Sequence, residues 1–156
     1  MRISKHEEYG LRLIAQLAER DDQVAIREMA THEGLPETTV AKVVARLRNA
    51  GLVTAERGRN GGYSLVLPAR EITLAAVVEA FGNSVYDGDF CARMSSGGDC
   101  AHDRSCGLRP VWHGLGAVIG NFLEGMTVED LVRGDVTRVR RTKSTDDLPV
   151  LGSCSG

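Results

Sequence analysis

Apolar positions recur at helical spacing over residues 4–19, where Gly10, Leu13, Ile14 and Leu17 share one face with Leu11, Ala15 and Ala18 beside them. Ser4 followed by Glu7 is a capping-box pattern at the start of that helix, and Asp21 and Asp22 mark its end. The spacing predicts a second helix over 26–33, stopping at Gly34, and a third over 37–49, following Pro36 and stopping at Gly51. The third sorts into an apolar face of Val40, Val43, Val44 and Leu47 and a polar face of Thr38, Thr39, Lys42 and Arg46. Two β-prone runs follow, 52–56 and 63–67, with Pro68 ending the second. They flank a turn in which Asn60 and Gly61 supply the positive-φ residues of a hairpin. Thr73 is placed to cap a short helix over 73–81. Pro110 opens a longer helix over 110–124, and Gly125 closes it. Its apolar residues Val111, Leu115, Val118, Ile119, Phe122 and Leu123 cover more than one narrow stripe, and Gly116 and Gly120 permit close backbone approach. Such a helix needs covering by its own domain and by a partner chain. Thr127, with Asp130 behind it, caps a last short helix, and the tail from Asp135 is expected to be mobile.

Two helices joined through Gly34, Leu35 and Pro36 and followed by a hairpin describe a winged helix-turn-helix. The fold class is mainly α: a winged helix-turn-helix with a two-stranded β wing, plus a long C-terminal dimerisation helix. Four segments are expected. Residues 1–82 are the DNA-binding domain, 83–109 a cluster-binding loop, 110–134 the dimerisation helix with the closing short helix, and 135–156 a mobile tail. The motif assigns the third helix to the major groove. Thr38 and Thr39 then serve phosphates or bases, and Lys42 and Arg46 phosphates or guanines. The wing tip Arg59, Asn60 and Gly61 is small and basic, which suits a narrow minor groove.

Charge supports a double-stranded DNA partner. The chain of 156 residues has a net charge of −2. Residues 1–70 nevertheless carry 11 Lys and Arg against 9 Asp and Glu, and residues 71–156 carry 8 against 12. A locally basic, globally acidic chain fits a nucleic-acid face on an otherwise ordinary body. Aromatic residues make up only 4%, which argues against a large aromatic-lined pocket. No nucleophile–base pair is placed by motif, so no enzyme is expected. The N-terminus has no apolar run and no stretch reaches membrane-spanning length, so a cytoplasmic protein without a membrane partner is expected.

In that compartment cysteines point to metal or redox chemistry more than to crosslinks. Cys91, Cys100 and Cys106 lie in one glycine-rich polar segment that cannot bury enough apolar surface to order itself. Thiolates converging on a metal centre would order it. Soft thiolates select zinc, copper(I) or iron–sulfur clusters. Zinc sites usually pair their ligands two to four residues apart, whereas a cluster tolerates looser spacing. A fourth position remains for Glu8, His6, His102, His113 or Cys154.

These residues together resemble the Rrf2 family of winged-helix bacterial regulators over residues 1–134. The stretches carrying the resemblance are MRISKHEEYGLRLIAQLA, LRNAGLVTAERGRNGGYSL, EITLAAVVEAF, the three-cysteine segment and TVEDLV. The resemblance implies a homodimer that crosses its long C-terminal helices. It also implies an iron–sulfur cluster on Cys91, Cys100 and Cys106, four-iron four-sulfur favoured and two-iron two-sulfur the alternative. In the nitric-oxide-sensing NsrR branch the fourth ligand is an aspartate from the first helix of the other subunit, and the matching position is Glu8. In the IscR branch it is a histidine, where this chain has Arg109. The gap between Cys91 and Cys100 is more like that of the iron-responsive RirA branch. The function implied is a dimeric transcriptional regulator, a repressor, whose operator affinity is controlled by a cluster sensing nitric oxide, redox state or iron. The alternatives are a zinc-stabilised regulator without redox sensing and a small iron–sulfur redox protein.

Overall fold

The computed structural model describes residues 4–20, 22–56, 61–82 and 107–136. Helix α1 (Lys5–Ala18) begins at the expected box: the Glu7 N–H donates to Ser4 Oγ at 3.2 Å and the Ser4 N–H to Glu7 Oε2 at 2.6 Å. Helices α2 (Ile26–Glu33) and α3 (Glu37–Asn49) have the bounds the periodicity predicts. Strands β1 (Val53–Glu56) and β2 (Gly62–Leu65) form an antiparallel pair in which Val53 faces Leu65 and Glu56 faces Gly62. A 3-10 turn (Ala69–Glu71) leads into α4 (Leu74–Glu79), capped by the Thr73 hydroxyl accepting from the Ala76 N–H. Helices α5 (Leu108–Gly125) and α6 (Val128–Arg133) complete the fold. Thr127 and Asp130 form the capping box of α6. Mainly helical with a two-stranded wing, this is the predicted fold class.

One apolar cluster holds these elements together. Leu13, Ile14 and Leu17 of α1 meet Met29 of α2, Val40, Val43, Val44 and Leu47 of α3, Val53 of β1, Val77 of α4 and Val128 of α6. Helix α1 is the hub, packing on α2, α3, α4, α6 and β2. Each side chain removed from water contributes roughly 1.5–3 kcal/mol, so α1 is the element least free to move alone.

Several junctions depart from the sequence expectation. The β-prone run 63–67 leaves the ladder after Leu65, and Val66 and Leu67 are exposed. The wing gains instead a pairing that periodicity could not show: Val24, between α1 and α2, exchanges two backbone hydrogen bonds of 2.9 Å with Tyr63. The long helix starts at Leu108, two residues before Pro110. Proline is tolerated there because first-turn N–H groups have no intrahelical acceptor. Gly125 does not close that helix from outside. The chain turns extended at Met126 because it pairs with the start of α4. The Leu74 N–H donates to the Met126 carbonyl and the Val128 N–H to the Ile72 carbonyl, each at 2.9 Å. That pairing docks the end of α5 onto the domain of the reading helix. The loop expected over 83–109 lies outside the described residues up to 106 and gives way to helix at Leu108, and the tail expected over 135–156 lies outside them beyond 136.

Gly10 marks the tightest approach in the core. A Cβ built there would collide with Phe81 Cε2 and lie 2.5 Å from its Cζ. Gly10→Ala is therefore expected to destabilise the fold by about 1–3 kcal/mol. Calorimetry should read this as a fall in melting temperature of about 2–4 °C per kcal/mol.

Candidate nucleic-acid interface

The turn between α2 and α3 is built as a helix-turn-helix requires. Gly34 takes φ 64°, a left-handed conformation that side chains disfavour, and its N–H donates to the Ala30 carbonyl. Ala30 is buried, and its small side chain lets the two helices close. Pro36 starts α3, and the N–H groups of Thr39 and Val40 return to the Pro36 carbonyl at 2.9 and 3.1 Å. No side chain caps this end. Ahead of Thr39, the N–H groups of Glu37 and Thr38 and the positive dipole end of α3 therefore stay available to an anion.

Helix α3 keeps the two faces its sequence predicts. Val40, Val43, Val44 and Leu47 are fully buried, Thr38 and Lys42 are exposed, and Thr39 is half-buried. Arg46 is exposed as well, but its guanidinium is engaged within the chain. Its Nη1 donates to the Phe81 carbonyl at 2.9 Å, and its Cζ stands 6.0 Å from the centroid of the Phe81 ring. The guanidinium is directed to the end of α4 rather than along the open face with Lys42. Arg48, which the sequence did not single out, is exposed beside the wing. It lines an open cleft of about 460 Å³ with Ile26, Glu56, Gly61 and Tyr63. A count of basic residues in that stretch includes Arg48, but only the paired strands show which side of α3 it serves. At the wing tip Gly61 is half-buried, while Arg59 and Asn60 lie outside the described residues.

Two adjacent carboxylates of α1 have different fates. Glu7 is 1% exposed and committed to the cap. Glu8 is exposed on the first turn, and its ion pair with Arg12 is a long one, Oε1 lying 3.7 Å from Nη1. Arg12 has a better partner, because its Nε donates to Glu33 Oε2 at 2.6 Å and the Glu33 side chain is only 8% exposed. Exposed pairs contribute little, and shorter pairs with a buried member more. The Glu8 carboxylate can therefore leave Arg12 at small cost, and Arg12 keeps α1 tied to the end of α2. His32 Nδ1 stands 3.0 Å from the other Glu33 oxygen.

Cys91, Cys100, Cys106, His102 and Cys154 lie outside the described residues. His6 and His113 are both exposed. Among the described residues no three His, Cys, Asp or Glu side chains gather into a metal site. The candidate donors are the soft thiols of Cys91, Cys100 and Cys106 in sequence and, among the described residues, the exposed side chains of Glu8, His6 and His113. Their chemistry suits an iron–sulfur cluster with one harder ligand.

Helix α5 shows a second surface. Leu123 packs on the core, whereas Val111, Trp112, Leu115, Val118 and Phe122 are exposed. Among the described residues no helix is long and apolar enough to cross a membrane.

Residues 3–134 match the profile of a protein family described as "Rrf2: Iron-dependent Transcriptional regulator". The chain is 35% identical over 136 residues to Protein aau3 of Rhizobium meliloti, covering 85% of this chain and 86% of that one. It is 30% identical over 135 residues to the HTH-type transcriptional regulator IscR of Photobacterium profundum, covering 85% and 76%. Among solved structures, CymR, the global cysteine regulator of B. subtilis, superposes with a TM-score of 0.71 at 25% identity, covering 86% of this chain and 98% of that one. T. potens IscR superposes with a TM-score of 0.67 at 24% identity, covering 86% and 88%, a likeness of fold.

Proposed function

Because this chain belongs to the Rrf2 family of DNA-binding transcriptional regulators, we propose that it is a cytoplasmic homodimeric repressor whose operator affinity is set by an iron–sulfur cluster. Cys91, Cys100 and Cys106 would hold the cluster, with the partner subunit's Glu8 as fourth ligand. The protein is read as a regulator and not as an enzyme. The observation that carries the DNA half is α3: its apolar face is fully buried and Thr38, Thr39 and Lys42 remain on its open side. Base edges in the major groove accept hydrogen bonds from such side chains, and phosphates take the ammonium of Lys42. The wing, with Arg59, Asn60 and Gly61 at its tip, is assigned to the flanking minor groove.

The observation supporting the sensing half is the outward Glu8 carboxylate, held among the described residues by a 3.7 Å ion pair. When bound, the cluster supplies an iron corner at which nitric oxide or an oxidant can displace a weak ligand. The chain's own part is positional. Glu8 sits on α1, the hub on which the reading helix packs. Release of Glu8 returns its carboxylate to Arg12, which also holds Glu33 at the end of α2. A dimer binds two half-sites only when its reading helices are correctly spaced, so a small change around α1 suffices to alter affinity.

Anaerobic purification followed by absorbance, iron and sulfide analysis and an operator-binding titration tests this. The expected result is a coloured protein with stoichiometric iron and sulfide, whose binding falls as nitric oxide or an oxidant bleaches the chromophore. Bleaching by iron chelation alone would assign the signal to iron. Colourless, zinc-loaded protein that binds its operator regardless of these reagents would overturn the sensing half and leave a zinc-stabilised regulator.

A further inference from the structure

Phe81 lies where three moving parts of such a switch would meet. It is 4% exposed, and it closes the turn after α4, its N–H donating to the Val78 carbonyl at 3.1 Å. Its ring edge rests on Gly10 of α1, at a distance that leaves no room for a Cβ. Its carbonyl accepts from Arg46 Nη1 at 2.9 Å, and the Arg46 guanidinium stands over its ring. Gly10 is two residues beyond Glu8, Arg46 is in the last turn of the reading helix, and residues 83–106 carry the three cysteines.

The chemistry of the Arg46 contact is directional. The Phe81 carbonyl lies just past the Ala80 cap of α4, where it is free to accept from a side chain. A guanidinium is a rigid fork whose N–H groups fit such an acceptor while its plane covers an aromatic face. An arginine committed in this way has its charge drawn towards α4 instead of presented to a phosphate beside Lys42.

We infer that Arg46 is a positioning residue and not a DNA contact: its bond to the Phe81 carbonyl ties the reading helix to the point where the cysteine-bearing segment leaves the core. Displacement of the chain at Phe81 is then transmitted to α3 through Arg46 and to α1 through Gly10. The coupling to cluster state rests on the sensing half of the proposed function; the positioning role of Arg46 does not.

The test uses full-length Arg46→Met, which keeps the stem over the ring and removes the N–H donors, with Lys42→Ala as the comparison. Operator affinity is measured at several salt concentrations for the cluster-loaded and cluster-free forms, together with iron content. A lost phosphate contact flattens the slope of log K against log salt by about 0.9, and Lys42→Ala is expected to show this. Arg46→Met is expected to leave that slope, the iron content and the ranking of operator variants unchanged. It is also expected to erase the affinity difference between loaded and cluster-free protein, roughly 5–150-fold in coupled systems. A flattened slope, or relaxed preference at one base pair, with the difference intact would make Arg46 a DNA contact and overturn the inference. Unchanged affinity in every form would overturn it too. Wild-type protein without iron would sink the sensing half and the coupling with it. The positioning role would then be decided by whether Arg46→Met lowers affinity at constant slope.

Discussion

Replacing Val118 and Phe122 by glutamate is expected to convert the proposed dimer to a folded monomer and to reduce operator affinity on the order of 10³-fold or more. Val111, Leu115, Val118 and Phe122 are spaced four, three and four residues apart, the repeat of a helix–helix seam, and all are exposed. One flank of α5 is already covered, since Gly116 is buried, Leu123 packs on the core and α5 lies against α4. Water-exposed apolar side chains in one row along a helix fit a second copy of the same helix, because an isologous contact lets each row cover the other. Covering the exposed half of each side chain contributes on the order of 1 kcal/mol. Carboxylates placed in that seam would be stripped of water without partners, which costs more than the seam gains. The core does not use Val118 or Phe122, so the melting transition should persist. Sedimentation or light scattering reads the mass, and the operator titration reads the loss of one half-site, which removes a large part of the advantage of specific over non-specific binding. A variant that stays dimeric would place the subunit contact elsewhere.

Much of this arrangement was legible in the sequence where one physical rule acted alone. The bounds of α2 and α3 follow from apolar spacing between Gly34, Pro36 and the end of the pattern, and no tertiary contact competes there. Both capping boxes were visible for the same reason: a Ser or Thr with an acid three residues on is a local device. The misses occur where distant segments meet. Nothing local in Val24 announces its pairing with Tyr63. Nothing in Met126 announces that its carbonyl will hold the start of α4. Arg46 is the instructive case, because helical spacing placed it beside Lys42 and that placement is geometrically sound. The acceptor that turns its guanidinium away, the Phe81 carbonyl, belongs to an element far along the chain. The candidate site could be named as a set of residue types, and the contacts each side chain makes within the chain could not.

Serine at Cys91, Cys100 or Cys106 is expected to abolish iron retention, whereas Glu8→Ala is expected to keep most of the iron and change how readily it responds. The two outcomes differ because the ligands differ in softness. Thiolate binds cluster iron strongly, and a serine hydroxyl, protonated at neutral pH, is a poor replacement. Glu8 is a hard, exposed carboxylate whose ion pair with Arg12 is long, so neither its desolvation nor a lost partner makes its removal costly to the fold. Removing it leaves Arg12 in its 2.6 Å bond to Glu33 and leaves the Ser4–Glu7 cap untouched, so α1 should remain in place. The cysteine variants should then bind operator as the cluster-free wild type does. Glu8→Ala should start nearer that state and lose binding at lower nitric oxide or oxidant concentration. Glu8→Asp, one methylene shorter, should fall between Glu8→Ala and wild type if reach to the partner subunit's segment matters. Iron and sulfide analysis, absorbance and an operator titration on the same samples read all of these. Glu8→Ala protein with spectra and response identical to wild type would remove Glu8 from the ligand set, and cysteine variants that retain full iron would remove the thiols.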